Sequence, residues 1–442
     1  MIPNVKKIGY FYIRQIDEDI QKKLNIEDIY CEIVSELEYS ALKDFIVPSW
    51  YRNKFNFREL MSNQFESILP MTAEIIPSLM CPLKCEQCSY KPQKQSIGVW
   101  DNKHSMLMTS EGMETALRKL NEVNTQNIII TGGGEPLTNA KVTIQGLATA
   151  KKYGMVTCLY TNGLLMNESN CQQIIQTNLD VIRISIYGVD EIGFLLYTGT
   201  EKKFFKKVFE NVNKLIESKI KNQSNISIGL SFLTHPKMFN HINIEKFPFN
   251  LFKLLIGMLG KENLSHISTI RFTPAVDYYN MNQHEFNFFE KIYKNIETHI
   301  DDFLSYGVTL TPYYHRLNDL YKKKEYDKCT GCGFYAEIGT DGTMYHCCEK
   351  LLIEEYAIGN IFEESIHDIY HSNKRMEIIN KVNDNIKLCP PVCKPHEINK
   401  QLSLVENNDE RNIHRYNIWY DSLIEQGKNS KKILSQYNPF ES

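Results

Sequence analysis

Nine of the twelve cysteines lie in two short parts of the chain. Three fall within eight residues, at Cys81, Cys85 and Cys88, in the pattern CxxxCxxC. Six more lie between residues 329 and 393. The scattered Cys31, Cys158 and Cys171 are predicted to be packing residues, because a free cysteine behaves as a small hydrophobe. Clustered thiolates are ligands for zinc and for iron–sulfur clusters, so the two groups predict metal centres.

The first group has the spacing of an open iron–sulfur site. Three thiolates this close together can hold three irons of a [4Fe–4S] cluster and leave the fourth iron without a protein ligand. An open position on a metal binds another molecule, as it does on catalytic zinc. Structural zinc needs four ligands, and no Cys or His follows Cys88 within ten residues. A three-ligand zinc site or a chance grouping is therefore the less favoured alternative.

The second group consists of Cys329 and Cys332, the pair Cys347 and Cys348, and Cys389 with Cys393. Residues 338–342, Ile-Gly-Thr-Asp-Gly, predict a tight hairpin turn just before the middle pair. Six thiols exceed the four ligands of one site, so the ligand set is not unique. A structural zinc knuckle is the alternative here, because C-x-x-C pairs also serve zinc. His346 is predicted to support the ligands or to lie at the surface.

Alternating apolar and amphipathic segments predict the elements that position these residues. The apolar runs lack strict polar alternation, which is typical of parallel strands buried on both faces. They are Ala73–Met80, Asn127–Thr131, Met155–Tyr160, Val181–Tyr187, Asn225–Leu233 and Ile267–Phe272. Helical periods follow Thr109-Ser110 and cover Phe204–Ile220, and a further helix is predicted over Ile366–Lys381. Six such units predict an α/β fold, a partial (β/α)6 TIM-like barrel.

With the triple cysteine after the first strand, the chain resembles the radical S-adenosylmethionine (radical SAM) enzymes. Thr131–Pro136, Thr-Gly-Gly-Gly-Glu-Pro, is similar to the family's Gly-Gly-Glu-Pro turn after the second strand. Tyr160–Gly163 after the third strand also has the family's form, whereas Gln87 stands where members commonly have an aromatic residue. The resemblance implies SAM on the open iron, bound by Gly133, Gly134, Glu135, Asn162, Arg183, Ser185 and Arg271.

Each of those positions has a role implied by the resemblance. Gly133, Gly134 and Glu135 would receive the methionine amino group of SAM through backbone and acid. Ser185 and Arg183 would contact its ribose or carboxylate, and the strand that contains Arg271 would flank the adenine. A phosphate loop is the alternative for the glycines, but no Gly-Lys-Ser/Thr follows them, and Glu135 would repel phosphate.

The second cysteine group resembles the auxiliary-cluster domains appended to radical SAM barrels, the SPASM and shorter twitch types. The Gly342-x4-Cys347 step and the later Gly359-Asn360 fit both types. Because no cysteine follows Cys393, the one-cluster, twitch-like type is favoured. The predicted ligands of this auxiliary [4Fe–4S] cluster are Cys329, Cys347, Cys389 and Cys393. Cys332 is the substitute for Cys329, and Cys348 is the substitute for Cys347.

These assignments predict four regions. They are an accessory segment over residues 1–72, the barrel over 73–305, the auxiliary-cluster domain over 306–398, and a helix and tail over 399–442. The accessory segment includes a helix-like stretch over Asp17–Leu42.

Composition limits the partners. The 442 residues contain 50 Lys and Arg against 53 Asp and Glu, a net charge of −3 that argues against a broad nucleic-acid surface. No apolar run reaches the ~18 residues of a membrane helix. The N-terminus lacks an apolar signal core, so we expect a cytoplasmic protein.

The expected function is reductive cleavage of SAM and hydrogen abstraction from a polar small molecule such as a sugar, aminocyclitol or nucleotide. The alternative is modification of a ribosomally made peptide or a protein residue, and a non-catalytic iron–sulfur or zinc protein comes third. Flavodoxin or ferredoxin is the expected electron donor.

Overall fold

Both cysteine groups belong to the larger of two units. In the computed structural model, one unit contains residues 1–62 and 400–442 and the other contains 63–399. The structure describes residues 5–8, 11–14, 69–86, 88, 90, 106–239, 241–243, 247–275, 283–297, 308–312, 324–391, 393–396, 399 and 403. In the smaller unit, strand β1 (Val5–Ile8) pairs antiparallel with β2 (Phe11–Arg14). Cys31, Gln87 and the helix predicted over Asp17–Leu42 lie outside the described residues.

The six predicted barrel strands are confirmed as neighbours in one parallel sheet. They are β3 (Thr72–Ile75), β4 (Asn127–Ile130), β5 (Val156–Thr161), β6 (Val181–Tyr187), β7 (Ser227–Thr234) and β8 (Thr269–Pro274). A seventh parallel strand, β9 (Thr309–Pro312), follows β8 at one edge. The first strand is shorter than predicted, since it ends at Ile75, two residues before Pro77. The sheet does not close on itself, which confirms the partial barrel.

The auxiliary-cluster region continues the same sheet on the other side of β3. Strands β10 (Tyr335–Ile338) and β11 (Thr343–Tyr345) form the predicted hairpin, and β12 (Ala357–Asn360) pairs antiparallel with β11. Strand β10 pairs in parallel with β3, which places Glu337 beside Glu74. The predicted barrel and the predicted auxiliary domain thus share a ten-stranded sheet, and the boundary between residues 305 and 306 stays a prediction.

Helices connect the parallel strands. They are α1 (Ser110–Glu122), α2 (Ala140–Lys152), α3 (Glu168–Gln176), α4 (Glu191–Thr198), α5 (Lys203–Lys221), α6 (Pro236–Phe239), α7 (Phe247–Leu259), α8 (Lys261–Leu264) and α9 (Gln283–Glu297). Thr109 caps α1 by accepting a hydrogen bond from the Gly112 amide, as the sequence predicts. Among the described residues, no helix is long and apolar enough to cross a membrane.

The prediction of one helix over Ile366–Lys381 is wrong. Two helices occupy this region, α10 (Ile366–Tyr370) and α11 (Asn373–Asp384). Ser372 separates them, and its side chain caps α11 by accepting a hydrogen bond from the Arg375 amide. A serine favours a helix start over a helix interior, because its hydroxyl competes for backbone hydrogen bonds.

Strand residues divide between two faces. Ile75, Ile128 and Ile130 share a hydrophobic cluster with the α1 residues Met113 and Leu117. Because side chains alternate along a strand, the residues between them point to the opposite face. We call this opposite face the inner face of the sheet. Its residues include Glu74, Cys158, Tyr160, Arg183, Ser185, Ser231, Arg271 and Glu337.

Candidate active site and auxiliary metal site

The first cysteine group lies in the loop after β3, held by the end of helix α4. The Lys84 amide donates to the Thr198 carbonyl oxygen at 3.0 Å, and the Glu86 amide donates to the Tyr197 carbonyl oxygen at 3.0 Å. Cys81 is exposed, whereas Cys85 and Cys88 are half-buried. The group therefore lies at the carboxyl end of the barrel strands, where barrel enzymes hold their catalytic groups.

The chemistry of these thiols fits an iron–sulfur cluster. Burial is the largest of the causes that raise the pKa of Cys85, and the neighbouring Cys81 and Cys88 raise it further. A cluster replaces those protons with iron and offsets the repulsion between thiolates. The Asn162 amide nitrogen lies 3.7 Å from the Cys81 sulfur, where it can donate a hydrogen bond. Such bonds to a ligating sulfur tune the potential of a cluster.

The glycine turn after β4 packs against the residues that lead into Cys81. A Cβ atom on Gly134 would lie 2.3 Å from the Met80 carbonyl oxygen, and one on Gly133 would lie 2.8 Å from the Leu79 side chain. The Glu135 amide also donates to the Met80 carbonyl oxygen at 2.7 Å. The sequence predicts that these glycines let a ligand approach the backbone closely. The structure shows that they are also needed for the approach of two loops.

The Glu135 carboxylate connects the loops after β4 and β5. It is buried and accepts hydrogen bonds from the Thr161 hydroxyl at 2.7 Å, the Asn162 amide at 2.7 Å and the Leu137 amide at 3.1 Å. Burial raises its pKa, and these three hydrogen bonds act against that shift. Its part in binding the SAM amino group stays a prediction, while its bonds to the chain show a positioning role.

We expect Glu135→Gln to destabilise the holoenzyme by about 1–3 kcal/mol, because an amide NH2 replaces one oxygen that accepts hydrogen bonds in a buried site. Thermal unfolding of the anaerobic, reconstituted enzyme measures this effect. Glu217→Gln, at an exposed position of helix α5, is the matched control and should leave the midpoint unchanged. Equal midpoints for both variants would show that the Glu135 hydrogen bonds do not stabilise the loops.

The remaining predicted SAM contacts lie together on the inner face. Arg183 is buried, donates to the Tyr160 hydroxyl at 3.1 Å and lies over the Tyr160 ring at 4.9 Å. Its Nη2 atom is buried and has no hydrogen-bond partner within the described part of the chain. Ser185 and Arg271 lie on one row of the sheet, separated by Ser231. A buried guanidinium with a spare donor fits an anionic group such as the SAM carboxylate.

Five cysteines of the second group surround one pocket. They are Cys329, Cys332, Cys347, Cys389 and Cys393. All four predicted ligands are thus brought together, and Cys332 joins them. Cys348 lines a neighbouring cavity instead. The pocket fits a thiolate-ligated cluster, while the selection of four ligands among five thiols stays a prediction.

Polar neighbours favour a thiolate at Cys329. Its sulfur lies 3.1 Å from that of Cys332, and the Asn399 amide donates to it at 3.4 Å. These contacts, together with His346, lower the pKa of Cys329. Cys329, Cys332 and His346 also bring three ligand atoms within 4.8 Å of one another, so of the two predicted positions His346 takes the one beside the ligands and not the one at the surface. Asn399 is a supporting residue that no sequence motif indicates.

We expect Cys393→Ala to remove about four irons per chain and Cys348→Ala to remove none. Cys393 lines the auxiliary pocket, whereas Cys348 faces the neighbouring cavity. Iron analysis after anaerobic reconstitution gives the counts, and each variant serves as the control for the other. Loss of iron from the Cys348 variant with full iron in the Cys393 variant would contradict the assignment of Cys393, and not Cys348, as a ligand.

Two family models match the chain. The model described as the radical SAM superfamily matches residues 75–238, and the SPASM model, described as an iron–sulfur cluster-binding domain, matches residues 329–394.

Relatives among known proteins differ in how much of the chain they cover. A cysteine-type anaerobic sulfatase-maturating enzyme of Clostridium perfringens is 24% identical over 366 residues, which are 77% of this chain and 93% of that enzyme. A dTDP-4-amino-4,6-dideoxy-D-glucose ammonia-lyase of Streptomyces venezuelae is 24% identical over 176 residues, 38% of this chain. The aligned part spans only 34% of that lyase.

Among solved structures, Streptococcus suis SuiB bound to S-adenosylmethionine superposes with a TM-score of 0.53 at 14% identity, covering 77% of this chain and 75% of that one. SuiB bound to its precursor peptide SuiA gives the same TM-score and identity, covering 80% of this chain and 78% of that one. These likenesses show a shared fold.

Proposed function

We propose that this chain, a radical SAM superfamily enzyme with a SPASM iron–sulfur domain, modifies a residue of a peptide or protein substrate. The observation that carries the proposal is the extent of the similarity to the sulfatase-maturating enzyme, which spans 366 residues and 93% of that enzyme. The expected small-molecule substrate has weaker support, because the ammonia-lyase aligns over only 176 residues.

The inner face and the cysteine loop supply the binding groups for the first step. Cys81, Cys85 and Cys88 would hold a [4Fe–4S] cluster, which when reduced would supply the electron for cleavage of SAM and so the radical chemistry that removes a hydrogen atom from the substrate. Arg183, Ser185 and Arg271 hold and orient SAM on the inner face. The Glu135 carboxylate fixes the glycine turn against the loop after β5, and the Glu135 amide fixes it against Met80, which directly precedes Cys81.

The auxiliary pocket provides a second redox centre next to the barrel. Strand β10, which directly follows the Cys329–Cys332 segment, pairs with β3, which directly precedes the Cys81 loop. A rigid sheet therefore fixes the position of one cysteine group relative to the other. We include in the proposal a flavodoxin or ferredoxin as the electron donor.

The test uses short peptides encoded beside the gene of this chain. They are incubated with the reconstituted enzyme, SAM and reductant without oxygen, and mass spectrometry then detects loss or rearrangement of hydrogen atoms on one residue. We expect product with the wild type and none with Cys393→Ala. SAM-dependent conversion of a nucleotide-linked amino sugar, with every peptide left unmodified, would overturn the proposal in favour of a small-molecule substrate.

A further inference from the structure

A second cavity opens on the inner face between strands β3 and β10. Glu74, Glu337 and Lys394 line it, together with Tyr335 and Cys348. Cys332, Cys347 and Pro395 line both this cavity and the auxiliary pocket. The cavity therefore lies between the barrel interior and the auxiliary site, and none of the functions assigned above uses its charged groups.

This cavity contains two buried carboxyl groups and one ammonium group. Glu74 is 1% exposed and forms an ion pair with the Lys394 ammonium. Glu337 is 2% exposed and lies directly beside Glu74 in the strand register. Its Oε1 atom has no hydrogen-bond partner among the residues that the structure describes. Two carboxyl groups thus share one ammonium.

The surroundings of Glu337 favour its uncharged form. Burial raises the pKa of Glu337 most strongly, the Glu74 carboxylate raises it further, and Lys394 acts in the opposite direction. Among the described residues that line the cavity, Lys394 is the only basic one, and the nearby Tyr90 stays neutral because burial raises its pKa. A buried carboxyl oxygen without a donor destabilises a fold, so its presence requires a compensating role.

The cavity faces the same space as the predicted SAM contacts. Glu74 lies in one row of the sheet with Ile129 and Cys158, and Tyr160 lies two residues beyond Cys158 on the same face. Tyr160 in turn contacts Arg183. A substrate group that reaches Glu337 is therefore placed on the inner face with the SAM-binding residues on one side and the auxiliary cysteines on the other.

We propose that this cavity binds a primary ammonium group of the substrate, with Glu337 and Glu74 as its acceptors. The cavity has room for a group about the size of a water molecule, which an ammonium matches and a guanidinium exceeds. The ammonium supplies the missing donor to Glu337 Oε1, and its positive charge lets Glu337 release its proton to solvent on binding. The identification of this ammonium group as a lysine side chain or a peptide N-terminus rests on the proposed peptide function, whereas the binding of an amine itself does not.

The experiment measures binding of n-butylamine and of 1-butanol to the reconstituted holoenzyme by calorimetry. These probes share an alkyl chain and differ in the group that would meet Glu337. We expect butylamine to bind at least about tenfold more tightly than butanol, and Glu337→Gln to remove most of that difference. Glu217→Gln is the control variant and should keep it. Equal binding of the two probes to the wild type would overturn the proposal and leave the cavity to an ordered water molecule.

A second measurement separates this inference from the proposed function. For a modified peptide with an essential lysine, we expect replacement of that lysine by norleucine to raise KM about tenfold or more in the wild type and much less in Glu337→Gln. An unchanged KM in both enzymes would contradict the amine site while peptide modification stands. Selective butylamine binding by an enzyme that modifies no peptide would support the amine site and count against the proposed function alone.

Discussion

Cys85→Ala is expected to reduce SAM cleavage to the uncatalysed background while leaving the auxiliary cluster in place. The three cysteines of the first group are the only protein ligands expected for that cluster, and alanine offers no replacement. Iron content should fall by about four per chain from about eight, and 5′-deoxyadenosine should no longer form. Anaerobic reconstitution, iron analysis and chromatography of the reaction products measure both effects in one sample.

The matched control for this variant is Cys171→Ala. Cys171 is buried in helix α3 and donates through its sulfur toward the Met166 carbonyl oxygen at 3.4 Å, away from both cysteine groups. Its replacement should leave iron content and SAM cleavage at wild-type levels, with some loss of stability from the lost packing. If Cys85→Ala retained cleavage, or if Cys171→Ala lost iron, the assignment of the SAM-binding cluster to the first group would be wrong.

Gly134→Ala is expected to lower the rate of SAM cleavage about 100-fold, even though alanine adds a single methyl group. The added Cβ would lie 2.3 Å from the Met80 carbonyl oxygen and 2.5 Å from the Leu79 carbonyl carbon. Both atoms belong to the backbone, so one of the two loops has to move. A displacement of about 1 Å between reacting groups costs about 100-fold in rate. Steady-state formation of 5′-deoxyadenosine measures the effect.

Gly257→Ala provides the control, since its added Cβ meets no atom within 4 Å. It lies in helix α7, where alanine is favoured over glycine by about 1 kcal/mol. This variant should cleave SAM at the wild-type rate and unfold at an equal or higher temperature. A Gly134→Ala enzyme as active as Gly257→Ala would show that close packing of the glycine turn against Met80 is not required.

The barrel could be predicted because its signals are local. Each buried strand is a short apolar run in the sequence, and each predicted SAM contact is positioned by the strand next to it. Ser185 and Arg271 illustrate this, since they lie on β6 and β8 and meet across β7 in one row. The break between helices α10 and α11 is also encoded locally, at His371 and Ser372. A hydrophobic period alone does not distinguish two short helices from one continuous helix.

Contacts between distant parts of the chain could not be predicted in the same way. The parallel pairing of β10 with β3 joins residues more than 250 positions apart, and its hydrogen bonds use backbone groups that every residue carries. The Lys394–Glu74 ion pair spans 320 positions. The hydrogen bonds of the Glu135 side chain to Thr161 and Asn162 depend on the close approach of two loops, which is a property of the folded sheet.

Reductive cleavage of SAM is expected at a cluster held by Cys81, Cys85 and Cys88. The most direct measurement is the yield of 5′-deoxyadenosine and methionine from the wild-type holoenzyme, loaded with about eight irons and reduced with dithionite in the absence of oxygen. Both products are expected in equal amounts, dependent on SAM and on reductant. Full iron loading with no 5′-deoxyadenosine would contradict this expectation.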